Sequence, residues 1–181
     1  DYLGSGKRFG LNFTYVVQEK RLGLANAVAS GEHVIDGSFA VVLGDNFFSP
    51  KSFLSELIGY HIEKKADTTV GVTHVSDVTR HGIVNPDGDR VLDMIEKPSF
   101  KNAPSDLVAI GAYVFNHSIF DAIRLTKPGL NGEYQLTDSI KLQIVDNKDV
   151  RYRIIDGIHI DVGTPRYLMS ANEYYLINER E

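Results

Sequence analysis

The sequence contains no cysteine, which excludes disulfides, thiolate metal sites and a cysteine nucleophile. It also lacks a long hydrophobic run, since the apolar stretch 39–44 is far too short to cross a bilayer. No signal-peptide pattern opens the chain, so we expect a reducing, cytoplasmic setting and no membrane partner. Positive charge is scarce as well: 19 Lys and Arg stand against 24 Asp and Glu, for a formal net charge of −5. This balance argues against a broad nucleic-acid-binding surface, although a small basic pocket is compatible with it.

The 181 residues are 43% hydrophobic and 24% charged, which is typical of one globular domain with a core. No repeat and no linker-like shift in composition divides the chain. Its first residue is Asp1, and methionine occurs only at Met94 and Met169, so no initiator is present. We therefore interpret residues 1–181 as a single domain that is N-terminally incomplete.

Strand-like and helix-like segments alternate along the sequence. The predicted strands are 13–17, 39–43, 68–75, 107–115, 151–155 and 157–160, with a hairpin formed by 82–85 and 91–95. The predicted helices are 24–34, one opened by Ser49-Pro50, 118–125, one capped by Thr137-Asp138 and a last one after Thr164-Pro165 with Leu168, Ala171, Tyr175 and Leu176 on its apolar face. This alternation predicts an α/β fold in which helices flank a mixed sheet. The apolar run 39–43 suits a buried parallel strand.

Two acidic residues follow apolar strands. Asp45 comes after 41–44, and Asp161 comes after 158–160. Ligands of open α/β sheets bind beyond the carboxyl ends of strands, and Mg²⁺ takes few protein carboxylates together with phosphate oxygens and water. The pair is therefore a candidate Mg²⁺ site, with turn or helix capping as the alternative for each acid. Sequence spacing does not show whether the two carboxylates converge.

Two further clusters carry polar groups suited to a nucleotide or a sugar phosphate. Glu96-Lys97-Pro98 ends a predicted strand, where Lys97 suits a phosphate and Glu96 suits sugar hydroxyls; a solvated surface pair is the alternative. Both side chains can serve one ligand only if the strand ends or bulges there, since neighbours on a strand face opposite ways. Gln18 and Gly23 lie between a strand and a helix, where an amide can bind a base edge and a glycine admits a flat ring. A plain strand-to-helix turn is the alternative there.

Several common catalytic motifs are absent. The sequence has no G-x-S-x-G elbow, no Walker A motif and no G-x-G-x-x-G. The six histidines show no metal-ligand spacing, and we interpret His159 as a packing residue.

Six short motifs, each weak alone, occur in one order over almost the whole chain. They are Gln18…Gly23-Leu24-Ala25, Leu43-Gly44-Asp45-Asn46, His81-Gly82-Ile83-Val84, Glu96-Lys97-Pro98, Gly132-Glu133-Tyr134-Gln135-Leu136-Thr137-Asp138 and Asp161-Val162-Gly163-Thr164-Pro165. Together they resemble the sugar-1-phosphate nucleotidyltransferases, and within them the glucose-1-phosphate thymidylyltransferases and their uridylyltransferase relatives.

The resemblance implies a Rossmann-like nucleotidyltransferase fold and an enzyme of nucleotide-sugar biosynthesis. In such enzymes the sugar 1-phosphate attacks the α-phosphate of a nucleoside triphosphate, and pyrophosphate leaves. The implied roles are Mg²⁺ binding by Asp45 and Asp161, nucleotide contacts by Gln18, Gly23 and Asn46, and sugar-phosphate contacts by Gly82, Glu96, Lys97 and Tyr113. Asp45, Asp161 and Lys97 would be the catalytic groups. A homo-oligomer is expected for the full-length parent.

One departure from the family pattern is large. The glycine-rich signature that cradles the triphosphate, roughly G-x-G-x-R with a later P-K, does not occur; Gly4-Ser5-Gly6-Lys7-Arg8 is not a substitute. We therefore expect this polypeptide to be inactive alone. Whether a C-terminal β-helix or a helical dimerisation element follows in the parent is open.

Three alternatives stay open from the sequence. The choice between dTTP and UTP depends on one methyl group, worth only about 1–3 kcal/mol in a pocket. A non-catalytic module that binds sugar phosphate is a second reading. A glycosyltransferase is the third, although the acid-x-acid metal motif usual in that class is absent around Asp45.

Overall fold

The sheet is organised around one long strand, Leu107–Phe115, which pairs with three other strands. The computed structural model describes residues 2–178. Its strands are β1 (Phe39–Val42), β2 (Asn46–Ser49), β3 (Thr68–His74), β4 (Gly82–Asp87), β5 (Arg90–Glu96), β6 (Leu107–Phe115), β7 (Val150–Ile154) and β8 (Ile158–Asp161). Its α-helices are α1 (Leu24–Ser30), α2 (Phe53–Lys64), α3 (Ile119–Leu125), α4 (Leu136–Val145) and α5 (Pro165–Asn178).

Six strands form a mixed sheet in the order β1-β6-β3-β7-β5-β4, and β4 also pairs with β6. The β3–β7 pair is parallel, whereas β6 runs antiparallel to β1, β3 and β4. The mixed α/β architecture expected from the alternating segments is therefore present. Strands β2 and β8 form a separate antiparallel ribbon, the β2–β8 ribbon.

Helices cover both faces of the sheet, and β6 shows why. Its residues Leu107, Tyr113 and Phe115 pack in a core with α1, α3 and α4, while Val108 and Ile110 pack on the other side with α2. Successive side chains of a strand point to opposite faces, so a strand that is apolar throughout must be covered twice. Among the helices within residues 2–178, none combines the length and the apolar content that crossing a bilayer requires.

Most of the predicted elements are confirmed within a few residues, including β3, the β4–β5 hairpin, β6, α3 and β7. The predicted strand at 13–17 is wrong, because this stretch pairs with no other strand in the described part of the chain. Aromatic and β-branched residues favour a strand only when a pleated neighbour is there to pack against. The helix predicted over 24–34 ends at Ser30 and is followed by a short 3₁₀ turn.

The predicted environment of β1 is also wrong. The strand lies at the edge of the six-stranded sheet and pairs antiparallel with β6, and Val42 is 43% exposed. A short apolar run does not distinguish a central strand from an edge strand, since only the number of neighbours differs.

Two predicted helix termini and one predicted helix face need correction. Helix α2 begins at Phe53, because Ser49 is the last residue of β2. Helix α4 begins at Leu136, and Gln135 rather than Thr137 occupies its N-cap position. The predicted apolar face of α5 buries only Ala171, whereas its larger apolar side chains Leu168, Tyr175 and Leu176 are exposed.

Candidate active site

A cavity of about 180 Å³ opens where β1, the bulged centre of β6, the β2–β8 ribbon and the start of α4 meet. Six of the predicted site residues line it: Asp45, Asn46, Gly82, Glu96, Tyr113 and Asp161. The lining also includes Arg80, His81, Gln135, Thr137 and His159, which were not predicted as site residues. The cavity therefore brings together residues from both halves of the chain.

The floor of the cavity is shaped by a β-bulge in β6. The register between β3 and β6 shifts between Val70 and Val72, and Gly111 adopts a φ of 71° in the shifted stretch. A β-carbon at Gly111 would lie 2.9 Å from Leu43 Cδ1, closer than side chains tolerate. Glycine accepts a left-handed backbone and adds no side chain at this close contact. It therefore allows the bulge to bring β6 against the residue that follows β1.

Asp45 and Asp161 converge on this cavity. The β2–β8 ribbon sets Asn46 opposite Asp161, and the Val162 amide donates a hydrogen bond to the Asp45 carbonyl at 2.7 Å. A β-carbon placed on Gly163 would lie 2.9 Å from Asp161 Oδ1 and 3.8 Å from Asp45 Oδ2. Both carboxylates therefore lie within 4 Å of one point, although 116 positions separate them in the sequence numbering.

The donor set at this point fits Mg²⁺. No group of three or more potential ligands gathers anywhere in residues 2–178, which does not favour a transition metal held by protein alone. Mg²⁺ is instead held by one or two carboxylates, with substrate phosphates and water completing the shell. The Gly163 amide donates to Asp161 Oδ1 at 2.8 Å and so fixes the orientation of that carboxylate.

Asn46 links Asp45 to His159. Its Nδ2 donates to Asp45 Oδ1 at 2.9 Å, and its Oδ1 accepts a hydrogen bond from His159 Nε2. Burial lowers the pKa of His159 to about 4, with the Asp161 charge acting in the opposite direction. His159 is therefore neutral at pH 7 and carries its proton on Nε2, since an amide oxygen only accepts. The packing role predicted for His159 is incomplete: its ring stacks on Phe48, and it also reaches the cavity.

Glu96 and Lys97 can serve one ligand only if the strand ends or bulges between them, and in the structure it ends there. Strand β5 ends at Glu96, and Lys97 turns into the left-handed region with a φ of 44°. As a result Lys97 Nζ lies 3.9 Å from Glu96 Oε1, on the same side of the chain. Lys97 itself does not line the cavity. It lies next to the cavity because it neighbours Glu96, which does line it.

Glu96 is oriented by a partner that sequence reasoning missed. Thr137 Oγ1 donates to Glu96 Oε2 at 2.7 Å from the first turn of α4. A β-carbon at Gly82 would lie 2.9 Å from Thr137 Oγ1 and 3.1 Å from Glu96 Oε2, so glycine leaves the room for this hydrogen bond. Tyr113 is buried nearby, and burial together with the Glu96 charge raises the pKa of its hydroxyl, which therefore stays protonated.

Gln18 and Gly23 do not line the cavity; they build its edge. Gln18 Nε2 donates to the Gly23 carbonyl at 3.2 Å and to Asn26 Oδ1 at 2.8 Å. Gly23 has a φ of 106°, and a β-carbon there would lie 2.6 Å from the Tyr134 carbonyl. This close approach ties the start of α1 to the segment before α4 and places Leu24 in the cavity wall.

Arg80, His81 and Thr137 are lining residues that sequence reasoning did not assign. His81 and Thr137 belong to two of the quoted motifs, whose match could have pointed to them, while Arg80 directly precedes one. Burial lowers the pKa of His81, although the Asp161 charge opposes this. Arg80 supplies a cation beside the acids, which suits a site for phosphate groups.

Comparison with known proteins shows the family of the chain. A family model described as nucleotidyl transferase matches residues 1–178. The chain belongs to the nucleotidyl transferase family. The predicted resemblance is thereby confirmed at the level of the family.

Two of the similar proteins are a thymidylyltransferase and a uridylyltransferase. A glucose-1-phosphate thymidylyltransferase of Streptomyces antibioticus is 32% identical over 177 residues, which cover 96% of this chain and 49% of that protein. The UTP–glucose-1-phosphate uridylyltransferase YngB of Bacillus subtilis is 35% identical over 161 residues, covering 84% of this chain and 54% of that protein. The chain thus spans about half the length of these curated relatives.

A solved structure shows the same fold. UDP-glucose pyrophosphorylase complexed with UDP-glucose superposes with a TM-score of 0.83 at 30% identity, covering 92% of this chain and 67% of that one. The family fold is therefore shared over most of the chain.

Proposed function

We propose that this chain forms the metal-binding and sugar-phosphate-binding part of a nucleotidyltransferase that joins dTTP or UTP to glucose 1-phosphate. The observation that carries the proposal is the convergence of Asp45 and Asp161 on the cavity that Glu96 also lines. The products would be a nucleotide sugar and pyrophosphate. The proposal treats residues 1–181 as a single partial domain with a Rossmann-like fold.

The proposed chemistry is a single in-line displacement. A phosphate oxygen of glucose 1-phosphate forms a bond to the α-phosphorus, and the bond from that phosphorus to the pyrophosphate oxygen breaks. Such a reaction needs positioning and charge neutralisation rather than a protein nucleophile. Mg²⁺, held by Asp45 and Asp161, would supply neutralisation of phosphate oxygens when bound.

The sugar-phosphate half is assigned to the end of β5. Lys97 would contact the phosphate, and Glu96 would accept hydrogen bonds from sugar hydroxyls. Glu96 is suited to this because Thr137 donates to Oε2, so that Oε1, 3.9 Å from Lys97 Nζ, can accept from a sugar hydroxyl. Tyr113 would border the same substrate as a protonated, hydrogen-bonding phenol.

The nucleotide half is assigned to Gln18, Gly23 and Asn46. Gln18 Nε2 already donates within the chain, so Gln18 can offer its Oε1 to a base. An amide oxygen accepts, and uracil and thymine both carry an N3–H donor. This leaves dTTP and UTP equally suited, in keeping with relatives of both kinds.

The test is Mg²⁺-dependent binding of UDP-glucose and dTDP-glucose to the chain, measured by calorimetric titration. Asp45→Asn and Asp161→Asn each remove one proposed ligand charge and should abolish the Mg²⁺-dependent part of the affinity. Asp87→Asn is the matched control, since Asp87 is exposed at the end of β4 and lies outside the cavity. If all three variants respond to Mg²⁺ as the unmodified chain does, the proposed function is wrong.

A further inference from the structure

His159 occupies a place in the site that the proposed chemistry does not use. It lines the cavity from β8, yet its Nε2 is directed to the Asn46 side chain on the neighbouring strand. Asn46 in turn donates to Asp45 Oδ1 at 2.9 Å. A continuous hydrogen-bond chain therefore runs from the imidazole to one of the two converging carboxylates.

The imidazole itself is held by the core. His159 lies opposite Phe48 in the β2–β8 ribbon, and the two rings stack with centroids 5.4 Å apart and planes 29° apart. Phe48 packs against Phe53 at 5.7 Å, and Phe53 is 2% exposed. Because the interior is close-packed, this stack restricts rotation of the His159 ring and fixes the direction of its N–H.

The two oxygens of Asp45 have different surroundings. Oδ1 accepts the hydrogen bond from Asn46, whereas Oδ2 is the oxygen near the point that Asp161 also faces above Gly163. The hydrogen bond from Asn46 holds Asp45 Oδ1 and leaves Oδ2 directed at the point that Asp161 also faces. Outer partners of metal-binding carboxylates commonly set their orientation, and their loss typically costs 10–100-fold in metal affinity.

We propose that His159 is a positioning residue that acts through Asn46 to hold the Asp45 carboxylate toward a divalent cation. This inference rests on the proposed function, because it takes Asp45 and Asp161 as the cation ligands. It assigns no chemical step to His159, which touches neither substrate nor reacting atoms in this role.

The test uses Mn²⁺ as a probe, because the electron paramagnetic resonance signal of free Mn²⁺ reports binding without any turnover. His159→Phe keeps a ring to stack on Phe48 and removes the N–H donor, so we expect the affinity for Mn²⁺ to fall about tenfold. His159→Gln restores an N–H donor and should return the affinity to within about threefold of the unmodified chain. A merely structural role would not be rescued by Gln, which cannot stack.

A double-substitution cycle distinguishes a relay, in which His159 acts through Asn46, from independent effects of the two residues on Mn²⁺ affinity. If His159 acts through Asn46, adding His159→Phe to Asn46→Ala should weaken Mn²⁺ binding no further than Asn46→Ala alone. An undiminished affinity in His159→Phe, or effects that multiply in the double variant, would overturn the inference. Asp45→Asn tells the two proposals apart: unchanged Mn²⁺ binding in that variant contradicts the proposed function itself.

A spectroscopic measurement on the unmodified chain needs no variant to fold. Nitrogen-15 shifts of the His159 ring should show a proton on Nε2, since the ring donates to Asn46 Oδ1 only through a protonated Nε2. The opposite tautomer, protonated on Nδ1 alone, would contradict the relay.

Discussion

Replacing Gly82 by alanine would test how the proposed sugar-phosphate half of the site is oriented. The new methyl group would lie 2.9 Å from Thr137 Oγ1 and 3.1 Å from Glu96 Oε2, which are themselves 2.7 Å apart. Contacts this short force the hydroxyl and the carboxylate apart. A hydrogen bond to a charged group contributes about 1.5–3 kcal/mol, so a loss of about 2 kcal/mol corresponds to about 30-fold weaker binding of glucose 1-phosphate.

The assay for Gly82→Ala is calorimetric titration of glucose 1-phosphate into the chain, with thermal unfolding measured in parallel. Thr137→Val removes the donor without adding bulk and should weaken binding to a similar extent. Gly59→Ala is the matched control, because a β-carbon at Gly59 meets nothing within 4 Å in α2. That control should leave binding unchanged and raise stability by about 0.5–1 kcal/mol. Binding by folded Gly82→Ala within twofold of the unmodified chain would refute the reasoning.

Three further predictions concern the bulge, pH and turnover. Gly111→Ala should lower the free energy of unfolding by about 1–3 kcal/mol in urea titration, because φ is 71° and Leu43 Cδ1 blocks the methyl group; an unchanged midpoint would contradict this. Burial lowers the pKa of His61 below its value in the unfolded chain, so the unfolded state binds more protons as pH falls below about 6.5. Stability should therefore fall from pH 7 to pH 5, by at most about 1.4 kcal/mol per pH unit for each such histidine, and His61→Asn should flatten this slope. The 181 residues alone are expected to release no pyrophosphate from UTP or dTTP with glucose 1-phosphate, and measurable turnover by the purified chain would disprove that expectation.

The sheet could be predicted from sequence because its signals are local. β6 is apolar over nine residues and the β4–β5 hairpin has a turn at its centre, so both appear in the residue pattern itself. The segment 13–17 shows the limit of that reasoning, since its strand-like composition meets no partner strand among residues 2–178. Strand formation depends on neighbours that composition does not specify.

The site was less accessible to prediction. Motif order pointed to Asp45, Asp161 and Glu96, but their partners come from distant parts of the chain. Thr137 is 41 positions from Glu96, and His159 is 113 positions from Asn46. Thr137 was expected to cap a helix, because a hydroxyl at a helix start ordinarily binds the backbone there. The neighbouring carboxylate is a stronger acceptor, and only the folded chain brings it within reach.

The β2–β8 ribbon has a consequence for how this protein tolerates insertions. Asn46 and Asp161 face each other across two short strands, so the distance between the acids does not depend on the length of the chain that connects them. Loops between the ribbon's strands can grow or shrink without separating the acids. A single residue added inside either strand is different: it would slip the pairing beyond it by one residue, turn the following side chains to the other face, and take Asp161 out of its place opposite Asn46.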